Sequence, residues 1–218
     1  MAKLRFMYGA VDSGKTDELC RAVRSYADRG MRVLVLVPEV ETRTLQGGVL
    51  RSRTGAECQA VAFSSEADLI STVTYELDGD GDGDGDGDGN GDREAGRLRC
   101  VLVDEAQFLT QAQVRQLAEL ADDCDVPVLC YGLRTDHRGD LFPGSEALLA
   151  LADELVEVRT VCPCGARATM SLRRGPDGRV VLGGEQVVVE GRGATYEALC
   201  RRCWSRTRCV AAWRGGAM

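Results

Sequence analysis

Apolar residues along the 218-residue chain fall into short blocks separated by segments of helical spacing. The first block, Leu4-Arg5-Phe6-Met7-Tyr8, predicts a strand. After a glycine-containing loop, Leu19, Val23 and Tyr26 recur at the interval of an amphipathic helix, and Gly30 offers a C-terminal cap. Arg32-Val33-Leu34-Val35-Leu36-Val37 is a continuous apolar run, as in a strand buried on both faces of a parallel sheet, and Pro38 closes it. The alternation then repeats. A short strand over 60–63 precedes a helix over 65–77, opened by a Ser65 cap with Glu66 and Asp68 in its first turn. A strand from Arg99 ends in Asp104-Glu105, and Val114, Leu117, Leu120 and Ala121 share one face of a helix over 111–124. A strand over 126–131, a polar turn over 132–139, a helix over 145–152 and a strand over 154–158 complete the series. Strands alternating with helices predict a doubly wound α/β domain with a parallel sheet over 1–159.

Two segments break this pattern. From Gly79 to Asp92 the chain is Gly-Asp repeat, with no apolar surface to offset its ordering entropy, which predicts a disordered surface insert. Its two-residue period lacks the aliphatic position of calcium-binding nonapeptides. From 160 to 218 the pattern changes again. Cys162-Pro163-Cys164 is answered by Cys200-Arg201-Arg202-Cys203, with 35 residues between Cys164 and Cys200. Four thiolates in two close pairs suit a closed, structural zinc site, with redox thiols or buried cysteines as the alternative. Between the pairs lie a hairpin-like Arg179-Val180-Val181-Leu182, then Glu185-Gln186-Val187-Val188-Val189 and a Gly-rich tip, a loop pinned at its base. The remaining six of the ten cysteines read as small apolar fillers.

The formal net charge of −7 is carried by the insert, because seven aspartates without Lys or Arg lie within 78–92. The rest of the chain is formally neutral, which argues against a broad basic surface for a nucleic-acid polymer. No apolar run approaches the ~18 residues of a membrane span. The first residues enter a strand without a signal peptide's apolar segment, so a cytoplasmic protein is expected, and there cysteines serve as thiols or metal ligands.

The candidate chemistry sits at strand ends. Gly9-Ala10-Val11-Asp12-Ser13-Gly14-Lys15-Thr16 fits the phosphate-loop pattern, in the strand, loop, helix context that gives it meaning. Its backbone N–H groups and the following helix N-terminus would cradle phosphates. Lys15 would reach the β- and γ-phosphates, and Thr16 would offer a hydroxyl to Mg²⁺. Asp104 can support that Mg²⁺, and Glu105 beside it can act on the nucleophile. Arg43 follows the second strand's carboxyl end, where open α/β sheets bind ligands.

With these residues in place the chain resembles the cytosolic, zinc-containing type II thymidine kinases. The resemblance rests on residues 9–16, on Cys100-Val101-Leu102-Val103-Asp104-Glu105-Ala106-Gln107-Phe108-Leu109, on residues 127–136 and on the cysteine region ending in Tyr196-Glu197-Ala198-Leu199-Cys200. It implies a RecA-like phosphate-loop domain and a small C-terminal zinc-ribbon-like domain over 160–218 that carries a lasso loop. The implied activity is transfer of the ATP γ-phosphoryl group to the 5′-hydroxyl of thymidine, giving dTMP for DNA synthesis, with deoxyuridine as a second substrate. By resemblance Glu105 is the general base, Arg43 stabilises the transferring phosphoryl group, and residues 104–107 join the phosphate loop in binding the nucleotide. Val187, Val188, Val189, Glu190 and Gly191 form the lasso, Tyr196 reaches the sugar or phosphate side, and Val11, Phe108, Leu133, His137 and Phe142 line the nucleoside pocket. Feedback by dTTP and a homotetramer are also implied. Val11 replaces a usual Met, His137 a usual Phe, and Glu190 and Arg192 an apolar residue and a Gly. The alternative from the residues alone is a phosphate-loop ATPase or nucleotide switch with a structural zinc ribbon.

Overall fold

A computed structural model describes residues 1–40, 45–78, 97–186 and 193–215. Its centre is a six-stranded sheet built from β1 (Leu4–Gly9), β2 (Arg32–Pro38), β6 (Val61–Phe63), β7 (Leu98–Val103), β8 (Val128–Leu133) and β9 (Glu154–Glu157). The spatial order is β6-β2-β7-β8-β1-β9, and every neighbouring pair is parallel. Because side chains alternate faces along a strand, the sheet divides its apolar residues between two cores. Phe6, Leu34, Leu36, Val101 and Val103 face one side, against α2 (Leu69–Asp78), α3 (Gln111–Asp123) and α4 (Pro143–Leu151). Met7, Val35, Val37, Cys100 and Leu102 face the other, against α1 (Lys15–Ala27).

On that second side a flap takes the place of further helices. It is a small antiparallel sheet of β3 (Leu45–Gln46), β4 (Val49–Arg51) and β5 (Glu57–Gln59), which sinks Leu50 and Cys58 into the α1 core. Its β4–β5 turn is tied to the first turn of α1. Ser52 donates to Asp17 at 2.6 Å, Thr54 also donates to Asp17, and these bonds hold the Asp17 carboxyl below its ordinary range.

The C-terminal portion starts with a two-strand hairpin, β10 (Thr160–Val161) and β11 (Arg167–Ala168), followed by β12 (Met170–Arg174), which pairs antiparallel with β13 (Thr195–Leu199). Helix α5 (Arg201–Gly215) follows.

Three elements differ from the sequence reading. The second helix begins at Leu69 rather than Ser65, because Ser64 to Ala67 closes as a turn, with Ala67 N–H on the Ser64 carbonyl at 3.2 Å; Asp68, outside the helix, accepts from Ile70 N–H at 3.1 Å. β8 runs from Val128 to Leu133, two residues beyond the expected end, so Gly132 and Leu133 are strand rather than turn. Residues 179–182 are not a strand. They contribute one isolated bridge, Arg174 to Val180, while the ladder on β12 comes from β13. The expected Gly-Asp insert lies outside the described residues.

Candidate active site

The parallel sheet sends the carboxyl ends of β1, β7 and β8 to one edge. β8 lies between β1 and β7, so the ends of the latter two stand about 10 Å apart at ~4.8 Å per strand. The β1–α1 loop bends into that space. Gly14, at the helix N-cap, has φ +81°, a left-handed conformation that glycine adopts without steric cost. Asp12 also takes a positive φ of 56° and pairs with Arg53 of the flap. Val11 N–H donates to Ser171 Oγ of β12 at 3.1 Å, so the C-terminal portion fastens the loop from the side.

Lys15 is buried, and its ammonium donates to the Ala10 carbonyl at 2.9 Å and to Ser13 Oγ at 3.3 Å. Burial lowers its pKa, against the raising pull of Glu105 and Asp104. Thr16 Oγ1 donates to Asp104 Oδ2 at 2.9 Å and joins α1 directly to the end of β7. Asp104 is only 2% exposed. Burial, and then the neighbouring Glu105 charge, push its carboxyl up to about 7, while the Thr16 hydrogen bond acts in the opposite direction. A buried carboxylate beside a hydroxyl is a hard-oxygen donor set suited to Mg²⁺.

Glu105 has φ +48°, a rare conformation for a non-glycine residue. It caps the 3-10 turn Ala106–Phe108 and accepts a hydrogen bond from Gln107 Nε2. Gln107 is buried, and its Oε1 takes Leu133 N–H at 2.9 Å, tying the tip of β7 to the end of β8. Gln107, which the sequence reading placed on the nucleotide, lines the cavity described below, and its amide also braces Glu105 and β8.

These groups open into one cavity of about 440 Å³. Val11 through Asp17, Glu105, Phe108, Leu133, His137, Phe142 and Tyr196 all line it, so Lys15 and Glu105 face the same space. Gly9, Ala10, Asp104 and Ala106 do not line it. Phe108 and Phe142 meet edge to face, with ring centroids 5.8 Å apart. His137 is 2% exposed, and its Nε2 lies 3.2 Å from the Gly183 carbonyl oxygen. Burial lowers its pKa, favouring the neutral ring. Arg43 and 187–191 lie outside the described residues, but the approach to that segment is anchored. Arg173 donates to the carbonyls of Gly183 and Glu185, and Gln186 donates to that of Leu141 at 3.0 Å.

Sequence reasoning missed Arg51, Ser52, Arg53, Thr54, Thr135, Asp136, Gln186 and Ser171 of this cavity. The flap and β12 reach it only through long-range packing, for which the sequence carries no local signal. Asp136 carried a signal: it opens the run Asp136-His137-Arg138-Gly139, and its carboxylate accepts from the backbone N–H groups of Arg138, Gly139 and Asp140.

Away from the cavity, the sulfur atoms of Cys162, Cys164, Cys200 and Cys203 lie within 4.8 Å of one another. Zinc–sulfur bonds of about 2.3 Å in a tetrahedron separate sulfurs by about 3.8 Å, and Cys164 stands 3.4 Å from Cys162 and 3.7 Å from Cys200. Backbone hydrogen bonds at Cys164 and Cys200 bring the Cys162 thiol down to about 7, toward the thiolate a metal needs. The cluster can form a structural metal site, and its donor set fits zinc.

A family model described as thymidine kinase matches residues 2–80 and 90–204. The chain is 45% identical over 201 residues to a thymidine kinase of Rhodopirellula baltica, covering 92% of this chain and 87% of that one. It is 45% identical over 206 residues to one of Legionella pneumophila, covering 94% and 90%. With one of Rhizobium meliloti it shares 46% over 204 residues, covering 94% and 96%.

Proposed function

The chain belongs to the thymidine kinase family, and from that premise we propose that its cavity transfers the γ-phosphoryl group of ATP to the 5′-hydroxyl of thymidine. The observation that carries this reading is the shared cavity: Lys15 of the phosphate loop, Glu105 and the apolar Phe108, Leu133 and Phe142 all line it. Lys15 and the loop N–H groups bind the β- and γ-phosphates and neutralise charge that builds during transfer. Mg²⁺ bound with ATP would be held by Thr16 and Asp104 and would supply positive charge against the phosphates. Glu105 accepts the 5′-hydroxyl proton, and Gln107 fixes its carboxylate in place. The apolar surface that Phe108 and Phe142 present to the cavity suits a planar base, and neutral His137 can cover its face. Tyr196, which lines the same cavity, is assigned to the sugar or phosphate side.

The reading assigns Arg43 to the transferring phosphoryl group and 187–191 to the lasso over the base. It takes 1–159 as the nucleotide-binding domain and 160–218 as the zinc-stapled domain that carries the lasso. It includes deoxyuridine as a second acceptor, dTTP as feedback inhibitor, a homotetramer and a cytosolic role in nucleoside salvage. No described helix is long and apolar enough to cross a membrane. The test is ADP release from ATP and Mg²⁺ with and without thymidine. Turnover that requires thymidine and yields dTMP is expected; acceptor-independent hydrolysis would overturn the kinase reading in favour of an ATPase.

A further inference from the structure

One pair of thiols belongs neither to the cavity nor to the metal cluster. Cys20 sits on α1, one turn beyond Thr16, and Cys58 is the middle residue of β5 in the flap. The sequence reading took both as fillers. They are buried in the same core, and their Sγ atoms stand 3.3 Å apart. A disulfide bond is about 2.05 Å long, so small side-chain rotations would close the gap. Hydrogen bonding to Cys58 stabilises the Cys20 thiolate and lowers that thiol's pKa, whereas the same contact, and then burial, push the Cys58 thiol up. Cys58 keeps a thin exposed edge of 9%, by which a small oxidant can enter.

We propose that Cys20 and Cys58 form a redox modification site, which a hydroperoxide converts into a disulfide that fastens the flap to the phosphate-loop helix. One of the two, as thiolate, attacks the peroxide, the O–O bond breaks, and that cysteine becomes a sulfenic acid while the departing hydroxide takes up a proton as water. The second sulfur, 3.3 Å away, then attacks the first, and the displaced hydroxide leaves as a second water with the second thiol's proton. Two thiols lose two electrons and one hydrogen peroxide gains them.

The bond would join positions 38 apart and lock the element whose tip, Ser52 to Thr54, touches Asp12 and Asp17 beside the phosphates. A slowing of turnover rests on the function proposed above; formation of the bond does not.

The experiment treats zinc-loaded protein with hydrogen peroxide and compares wild type with Cys58→Ser and Cys20→Ala. Peptide mapping is expected to find a Cys20–Cys58 cross-link in wild type alone, and the melting temperature to rise by on the order of 10 °C. Thymidine-dependent turnover is expected to fall at least threefold, and dithiothreitol to reverse all three changes. Oxidation without that cross-link overturns the proposal, as does an equal melting shift in a folded variant. A cross-link that changes neither melting nor turnover overturns the fastening role. Absence of thymidine-dependent turnover before oxidation would instead count against the kinase reading.

Discussion

Gly144→Ala tests how rigidly the fold holds Glu105. Gly144 lies in the first turn of α4, against the segment that follows Glu105. A Cβ built there would stand 2.6 Å from the Ala106 carbonyl oxygen, 2.7 Å from that of Leu109 and 2.9 Å from that of Gln107. All three are backbone atoms, so no side chain can swing aside. Relief to ordinary contact requires α4 and residues 106–109 to part by roughly 0.7 Å, and overpacking of this kind costs about 1–3 kcal/mol. Helix propensity works the other way, by at most about 1 kcal/mol in favour of Ala, so a net loss of about 1–2 kcal/mol is expected. For a chain of this length that is a fall in Tm of about 2–8 °C. The same displacement moves Glu105 from its position beside Lys15, and a shift near 1 Å can cost up to ~10²-fold in rate. Lys15 and Thr16 ride on α1 and stay in place. Scanning calorimetry and steady-state assays should therefore show a lower Tm and a kcat reduced tenfold or more, with KM for ATP changed less than threefold. Gly183→Ala is the control, since a Cβ there meets nothing within 4 Å. A Gly144→Ala protein with wild-type Tm and kcat would refute the claim that this contact positions the base.

Glu105→Gln is expected to lower kcat by ~10²-fold or more, the usual range for loss of a general base, while equilibrium binding of ATP persists; near-normal turnover would remove Glu105 from that role. Ser171→Ala strips the acceptor from Val11 N–H and leaves a backbone donor unpaired at a cost of about 1–3 kcal/mol, so KM for ATP should rise several-fold with kcat less affected. Elemental analysis should find about one zinc per chain, and Cys203→Ser should lose it and lower Tm; metal-free protein with full stability would contradict the four-thiolate site. His137 is held neutral by burial, so its folded pKa lies below the ordinary 6.5. The stability this gives is complete above about pH 6.5 and is lost as pH falls through 6.5 toward the lowered value. Tm should therefore drop more steeply between pH 7 and 5.5 in wild type than in His137→Phe, and equal slopes would refute the assignment.

The parts of the fold legible in the sequence are those whose cause is local. A continuous apolar run declares a strand buried on both faces, as in β2 and β7, and 3.6-residue spacing declares α1 and α3. The phosphate loop is legible because its spacing encodes a backbone shape. β8 starts later than expected because Val126 N–H is bonded to the Leu120 carbonyl of α3 at 3.4 Å and Pro127 has no N–H, its carbonyl alone meeting Val101 of β7 at 2.9 Å. That shift matters for function: it carries Leu133 into the sheet, where Gln107 can grip its N–H. The flap, β12 and α5 were invisible for another reason. Their residues mix polar and apolar types without a clear period, and their order comes from partners far along the chain, such as Ser171 meeting Val11 across 160 positions.

The same distinction separates the reacting groups that a motif proposes from the supports that no motif reveals. Lys15, Thr16, Asp104 and Glu105 need only stand at the carboxyl ends of parallel strands, and the strand order brings those ends together whatever the loops contain. Gln107, Ser171 and Gly144 act by fixing distances of about 3 Å between elements, and such distances depend on packing rather than on residue type. A homologue could keep the first group and exchange the second without losing the reaction, provided each loop were braced by some other contact. It follows that swapping a brace for a different one should be tolerated, whereas removing it should not. Ser171→Thr, which retains the hydroxyl acceptor for Val11 N–H, should therefore bind ATP with a KM closer to wild type than Ser171→Ala.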